Sequence, residues 1–341
     1  MNFILSFYNK QCLKVHRERL FMLCYHTKID IRVILALLSW CQVDIVAEEN
    51  CNLRQYMQPK EISASNLDQL VVAGVRNIVQ NGERFNARAG SGQQDYGVSY
   101  TLIDPTDRLH LLRQPRSVRY FCREMLAYFN GSLKVEDGLA QASPFWRKLA
   151  DQNGEICSNY GYYVFHQRIA SSDSVTQYEW VVSQLARNLD SRKAFININQ
   201  PHHKGTKSQD FPCTIGMQFF VRQNHLCCAV SSRSTDIYTG LPYDMGFFSF
   251  VAELVYRDLK SRLPKEQADE LKLGPVTMRT NFTQIYDKTR SDAVKLMDAT
   301  VSSNSDRMPE IENAQAVLND IYNGTANTSV MKWIKDHAEL S

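Results

Sequence analysis

The chain reads as an α+β protein, and three observations say so. Segments with helical apolar spacing and segments with strand-like alternation both occur. They do not follow one another in the regular strand-helix order of a doubly wound sheet. A composition of 44% hydrophobic and 22% charged residues over 341 positions is that of a globular chain long enough to bury a large core.

Residues 1–60 read as an N-terminal extension, helical in part. Its most apolar run, VILALLSWCQV (Val33–Val43), is too short to span a membrane and follows the charged KVHRERL. It is expected to form a buried or interfacial helix, and MQPKEIS marks a break after it. The main domain is expected over 61–300. NLDQLVVAGVRNIVQNGE (Asn66–Glu83) has apolar residues at Leu67, Leu70, Val71, Val75, Ile78 and Val79, which predicts a helix. ARAGSGQQDYG predicts a loop and VSYTLID a strand. SVRYFCREMLAYFNG (Ser117–Gly131) predicts an apolar helix stopped by Asn-Gly. AFININQ and TIGMQFFV predict strands, and HLCCAVSSRSTDIYTG begins as a third. FFSFVAELVYRDLKSRL predicts a long amphipathic helix. Residues 301–341 are polar and predict a short helical tail. There is no internal repeat.

A net charge of +3 argues against nucleic-acid or membrane binding through bulk charge, and leaves room for a local basic pocket for an anionic small molecule. The nine cysteines are an odd number without metal-ligand spacing, so no metal is expected. Adjacent Cys227 and Cys228 point to opposite faces of a strand. With no signal-peptide pattern, a reducing, cytoplasmic setting is expected. His202 and His203, without further ligands nearby, read as an exposed loop between strands.

The chemistry concentrates in two neighbouring stretches. DFPCTIGMQFFV puts Cys213 after a proline at the start of an apolar strand, where a buried structural cysteine is the ordinary reading. SSRSTDIYTGLPYD then sets Arg233, Ser234, Asp236 and Asp244 around a Gly-Leu-Pro turn directly after two strands. Taken singly, Arg233 suits a surface ion pair and Asp236 a turn. Together, beside a strand-borne cysteine, they suit a pocket.

Over roughly Leu67–Arg290 the sequence resembles thymidylate synthase and its pyrimidine-nucleotide hydroxymethylase relatives. Pro-Cys with Gln218 and Phe219, Arg-Ser-x-Asp (Arg233, Ser234, Asp236) twenty residues on, and Gly-Leu-Pro-aromatic (Gly240, Leu241, Pro242, Tyr243) carry the likeness. The resemblance implies a mixed sheet packed with helices and an obligate homodimer formed through one sheet face. It implies Cys213 as nucleophile, Glu124 in REMLAYFNG as catalytic carboxylate, and Tyr160 in SNYG as active-site tyrosine. NARAGSG resembles the phosphate loop, so Arg88 would meet the nucleotide phosphate. Arg192 and Lys193 in DSRKAF would serve the partner subunit's phosphate. Gln218, Arg233, Ser234, Asp236, Asp244, Gln284 and Tyr286 (the last two in QIYD) would contact substrate. Phe145 and Trp146 in PFWRKLAD, with Asp236, Gly240 and Tyr243, would line the site of 5,10-methylenetetrahydrofolate.

The residue types suit that chemistry. A pyrimidine C5 is too weak a nucleophile to attack a one-carbon donor. Thiolate addition at C6 gives C5 carbanion character, and this needs a thiolate. Arg233 can favour the thiolate. Glu124 on an apolar helix can keep a raised pKa and shuttle protons.

Three positions depart from the synthase pattern. Synthases carry asparagine after Gly-Leu-Pro-aromatic, where Asp244 stands here. A carboxylate accepts from the cytosine N4 amine, and from N3 once protonated, and opposes uracil O4. Thr214 follows the cysteine where synthases have histidine, and SNYG also resembles the cytidylate hydroxymethylases. These departures imply a cytidylate 5-hydroxymethyltransferase, in which the transferred methylene is hydrated rather than reduced. The terminal KDHAELS lacks the short apolar end with which synthases close their site, which fits hydration. Gln284 in place of histidine and Lys193 in place of arginine point towards ribose, whereas Ser234 points towards deoxyribose, so CMP and dCMP both stay open. The alternatives are a thymidylate synthase or dUMP hydroxymethylase, against which Asp244 stands, and a silent nucleotide- or RNA-binding homologue, which has no need of Cys213.

Overall fold

The computed structural model of the chain describes residues 58–170, 175–206, 208–301 and 307–339. The expectation for Val33–Val43 lies outside them. Seven strands form one mixed sheet: β1 (Lys60–Ala64), β2 (Glu83–Ala87), β3 (Gly90–Leu102), β4 (Phe195–Asn197), β5 (Thr214–Arg222), β6 (His225–Asp236) and β7 (Lys272–Tyr286). The order is β1-β3-β7-β6-β5-β4, with β2 also paired to β3. Among the described residues the α-helices are α1 (Leu67–Asn81), α2 (Arg116–Asn130), α3 (Gln177–Arg187), α4 (Leu241–Arg262), α5 (Lys265–Glu270), α6 (Asp287–Lys295), α7 (Ala314–Asn323) and α8 (Ser329–Ala338). The parallel pairs β1/β3 and β6/β7 are joined through helices, and the other neighbours are antiparallel. This is the α+β architecture expected, with a mixed sheet against helices.

Local signals work where they are strong. Asn66 caps α1 by accepting from Gln69 N at 2.9 Å. Gly131 ends α2 in the left-handed region at φ 69°. A Cβ there would also lie 2.1 Å from the His166 ring. Gln223 and Asn224, at φ 49° and 58°, make the two-residue turn that folds β6 back on β5. α4 is buried almost all round, with Met245, Phe247, Phe248, Phe250, Val251, Leu254, Val255 and Leu259 fully covered, so it is a core helix against the sheet. It is not amphipathic as the sequence suggested.

Four further differences have physical reasons. The glycine-rich 87–97 stretch is strand from Gly90 onward, not loop. Gly92 is there because a Cβ would sit 2.2 Å from the Ile285 carbonyl, so its glycine serves close pairing. β7 was not read as a strand because Gly274 and Pro275 interrupt it. They fall at a register shift against β6, between Leu226 and Cys228, where a bulge absorbs them. α4 begins at Leu241, so the Gly-Leu-Pro stretch is the entry to the helix and its first turn, with Pro242 suited to that position. The C-terminal segment is helical but not a polar appendage. Val317, Leu318 and Ile321 of α7 and Val330, Met331 and Ile334 of α8 are buried, and Arg123 of α2 donates to the Ala338 carbonyl at 2.8 Å.

Candidate active site

Cys213 stands just before β5, partly exposed. Its carbonyl accepts from Arg233 N at 2.9 Å and from Ser232 Oγ at 3.0 Å. The Arg233 guanidinium reaches back to the carbonyls of Phe211 at 2.7 Å and Pro212 at 3.2 Å, and lies over the Phe211 ring. The twenty-residue spacing is that of the hairpin: β5 runs out, the two-residue turn reverses it, and β6 returns with Ser232 opposite Thr214. Arg233 therefore clamps the loop that carries the thiol. Burial pushes the Cys213 thiol up to about 11. Arg233 pulls it down, while Asp244 and Asp210 push it further up.

The carboxyl side is built by α2 and α4. Glu124 is buried and accepts from Tyr120 Oη, one turn earlier, at 2.8 Å. Its carboxyl is pushed up to about 8 by burial and by the charge of Asp244, with the Tyr120 and Tyr128 hydroxyls pulling back. Asp244 lies in the first turn of α4, its N–H bonded to the Gly240 carbonyl at 3.1 Å. Burial pushes its carboxyl up to about 7. Among the described residues it has no hydrogen-bond or ion-pair partner for that carboxyl. The Asp244 charge acts on Cys213, Glu124, Tyr128 and Tyr160, which brings all five groups into one electrostatic neighbourhood.

Tyr160 enters this cluster from the SNYG loop. Its ring stacks between Tyr128 at 5.6 Å and Phe248 at 5.9 Å, and its hydroxyl faces Asp244, Cys213 and Thr214. Thr214 is fully buried, with its hydroxyl unpartnered. Asn159 bonds the carbonyls of Ala127 at 3.0 Å and Ser132 at 2.8 Å, pinning the loop to the end of α2. Gly161 lies so close to α2 that a Cβ would be 1.9 Å from the Tyr128 carbonyl.

The remaining expected residues fall at graded distances from this centre. Ser234 and Gln284 hydrogen-bond each other across β6 and β7, at 3.2 and 3.1 Å. Tyr286 lies beside Gln284 and within electrostatic reach of Cys213 and Arg233. Arg88, in the turn between β2 and β3, donates to the Gln209 carbonyl at 3.2 Å, so its side chain rests against the loop leading to Cys213. Trp146 donates to Tyr120 Oη at 3.4 Å, and Tyr120 meets the Tyr243 ring at 4.5 Å. These rings, with exposed Phe145 beside Trp146, form an aromatic shelf next to Glu124. Asp236 accepts from Tyr238 N and Thr239 N, both at 2.8 Å, and its carbonyl accepts from Gly240 N. In the free chain Asp236 and Gly240 thus build the entry to α4.

Some expected residues are not brought in. Gln218 donates to the Arg192 carbonyl at 3.2 Å, and it stands five positions along the strand from Cys213, about 16 Å at the usual rise per residue. Arg192 and Lys193 are exposed in the turn between α3 and β4. The His202–His203 reading needs correction: His203 is buried. Its Nε2 lies 2.8 Å from Tyr163 Oη, and its Nδ1 accepts from Gln200 N. Tyr163 spends its own proton on the Cys157 carbonyl, so His203 donates through Nε2–H. Burial and neighbouring His202 hold it down at about 4. Among the described residues no three His, Cys, Asp or Glu side chains are placed to hold a metal, and no helix is long and apolar enough to cross a membrane.

Sequence reasoning missed Tyr120, Tyr128 and Asp210. The i, i+4 spacing of Tyr120, Glu124 and Tyr128 was a usable signal, since it puts three polar groups on one face of an apolar helix. A separate cleft of about 560 Å³ between α2, α7 and α8 is lined by Leu126, His166, Tyr322 and Lys335, among others. It borders none of these groups, so the chemistry rather than the cleft marks the site.

Cys213 clamped by Arg233, the buried carboxyl of Glu124, the half-buried one of Asp244 and an aromatic shelf stand together, the ingredients of a site that can work through a thiol. The chain belongs to the thymidylate synthase family, whose profile matches residues 71–326. Among curated relatives, the deoxycytidylate 5-hydroxymethyltransferase of Enterobacteria phage T6 is 28% identical over 174 residues, covering 50% of this chain and 67% of that protein. That of Enterobacteria phage T4 is 27% identical over the same shares.

Proposed function

We propose that the protein is a folate-dependent cytidylate 5-hydroxymethyltransferase. The observation that carries this reading is Asp244. It is a carboxyl where synthases have an amide, free of any partner among the described residues, in reach of Cys213, Glu124 and Tyr160, and pushed up to about 7. Its neutral form can donate to cytosine N3 and its ionised form can accept from the N4 amine. The ionised form cannot donate to uracil O4, so it selects cytosine. The likeness to the phage deoxycytidylate enzymes supports the same base.

Cys213 adds through sulfur to C6, and the electron pair displaced from the C5–C6 bond makes C5 nucleophilic. Methylenetetrahydrofolate supplies the carbon when bound, and the aromatic shelf of Trp146, Tyr120 and Tyr243 suits a flat heterocycle. C5 forms a bond to that carbon. Loss of the C5 proton and of the donor amine leaves an exocyclic methylene, and water adds to it to give the hydroxymethyl group. Cys213 then leaves as thiolate. Glu124, neutral near pH 7, donates and recovers protons from inside the helix face. A protonated Asp244 no longer opposes ionisation of Cys213, so base recognition and thiol activation act together.

Arg88, Arg233 and the Ser234–Gln284–Tyr286 group suit the phosphate and sugar. Exposed Arg192 and Lys193 suit the phosphate of a second subunit, and exposed Tyr96, Phe220 and Phe282 on the sheet suit burial in a homodimer. A cytoplasmic setting and a folded unit that starts near residue 61 and includes α7 and α8, with an N-terminal extension before it, complete the proposal.

The test is incubation with CMP, dCMP, UMP and dUMP plus methylenetetrahydrofolate, with products identified by mass. A hydroxymethyl adduct on a cytidylate is expected; methylation, or no turnover of either cytidylate, refutes the reading. Asp244→Asn is expected to move the cytidylate-to-uridylate preference by about 10²-fold or more.

A further inference from the structure

Three residues before Cys213, Asp210 is buried and joins two parts of the site. Its Oδ2 accepts from Cys157 N at 2.7 Å and Ser158 N at 2.6 Å, and its Oδ1 accepts from Ser158 Oγ at 2.5 Å. Its own N–H is tied to Leu149 O at 3.2 Å and Ser208 Oγ at 3.0 Å, so the carboxylate projects from an anchored segment. Ser158 lies two residues before Tyr160, on the loop that Asn159 and Tyr163 also fasten. One side chain therefore sets the position of Tyr160 relative to Cys213. Burial pushes the Asp210 carboxyl up, while these three donors and the Arg233 charge pull it back towards the ionised form.

We infer that Asp210 is a positioning residue that registers the Tyr160 loop against the Cys213 loop and sets a fixed negative charge beside the thiol. The inference rests on Cys213 being the nucleophile. Groups facing that thiol are Arg233 from β6, Asp244 from α4, Tyr160 from the SNYG loop, Tyr286 from β7 and Asp210 on its own loop. Two of the charges, Asp210 and Asp244, oppose the thiolate and one, Arg233, favours it. Asp244 can lose its charge by binding a proton at a base. The three donors to Asp210 favour its ionised form, whereas Asp244 has no such partner among the described residues. The free enzyme thus keeps its thiol protonated until substrate and Asp244 change the balance.

Asparagine separates the two roles. Its carbonyl oxygen can take the two backbone N–H bonds, and its amide can donate to Ser158 Oγ, which then turns its own proton elsewhere. Asp210→Asn keeps the register and removes the charge; Asp210→Ala removes both. The rate of Cys213 alkylation by iodoacetamide is measured against pH on the free enzyme, with Cys213→Ser as the background control, beside kcat and KM. This alkylation profile needs no substrate, so it stands even if the cytidylate reading fails. Asp210→Asn is expected to lower the apparent thiol pKa by about one unit and keep most of kcat. Asp210→Ala is expected to lower the thiol pKa likewise and to lose about a hundredfold in kcat, with a smaller change in KM. An unshifted profile in Asp210→Asn overturns the inference. Full kcat in Asp210→Ala, or equal losses of kcat in both variants, overturns it too. If Asp210→Ala does not fold, the Asn profile decides.

Discussion

The two halves of the site solve opposite problems. Around Cys213 the groups are charged and tied to main chain: Arg233 to two carbonyls, Asp210 to two N–H groups, Arg88 to the Gln209 carbonyl. Around Glu124 and Asp244 the neighbours are tyrosines, tryptophan and phenylalanine, with no cation paired to either carboxyl among the described residues. A thiol must ionise to act, so its side holds a cation. A carboxylic acid must stay protonated to donate, so its side excludes cations and uses desolvation. The difference shows how neighbouring groups can be held in opposite environments, as the proposed acid and nucleophile require.

The contrast can be tested from its largest expected effect downward. Cys213→Ser is expected to cut turnover by at least about 10⁴-fold while leaving nucleotide binding measurable by calorimetry. Glu124→Gln is expected to cost about 10²-fold or more in kcat. It also reports on desolvation. Glu124 is raised from 4.5 unfolded to about 8 folded, so its contribution to stability is full below about 4.5 and is lost as pH rises through about 8. Denaturant unfolding from pH 5 to 9 should show stability falling in the parent, and a flatter profile in Glu124→Gln.

Arg233→Met should raise the apparent pKa of Cys213 alkylation by about one unit, in the direction opposite to Asp210→Asn. If Arg233→Met leaves that profile unchanged, charge does not set the nucleophile side and the contrast collapses. Gly161→Ala forces a Cβ into the Tyr128 carbonyl and should cost about 2 kcal/mol, read as a fall of a few degrees in melting temperature. That strain falls on the loop of Tyr160, so kcat should drop with it.

Much of the site was legible because its residues lie in short ordered strings. Cys213, Arg233 and Asp244 sit within 32 residues, and hairpin geometry makes the Cys-to-Arg spacing meaningful without any tertiary knowledge. Glu124 stood out as a lone carboxylate on an apolar helix. Gln218 is less legible: it lies on the strand that begins just after Cys213, and its side chain donates to the Arg192 carbonyl. Asp210 lies three residues before Cys213, yet nothing local in the sequence says that its partners are Cys157 and Ser158. β7 was missed for a like reason. Its Gly274 and Pro275 break the local pattern, and only the bulge against β6 makes them acceptable.

The sequence by itself determined the α+β class, the hairpin that pairs Cys213 with Arg233, and the residue types that supply a thiol and two carboxyls. These depend on periodicity, turn chemistry and side-chain functional groups, which are local. Only the tertiary structure decided that Glu124 and Asp244 share one buried neighbourhood, that α4 starts at the Gly-Leu-Pro segment, and that Asp210 ties the thiol's loop to that of Tyr160. Those depend on which distant backbone donors and apolar surfaces close around a polar atom. It is this closure that moves a carboxyl from an ordinary acid to one that holds its proton near neutral pH.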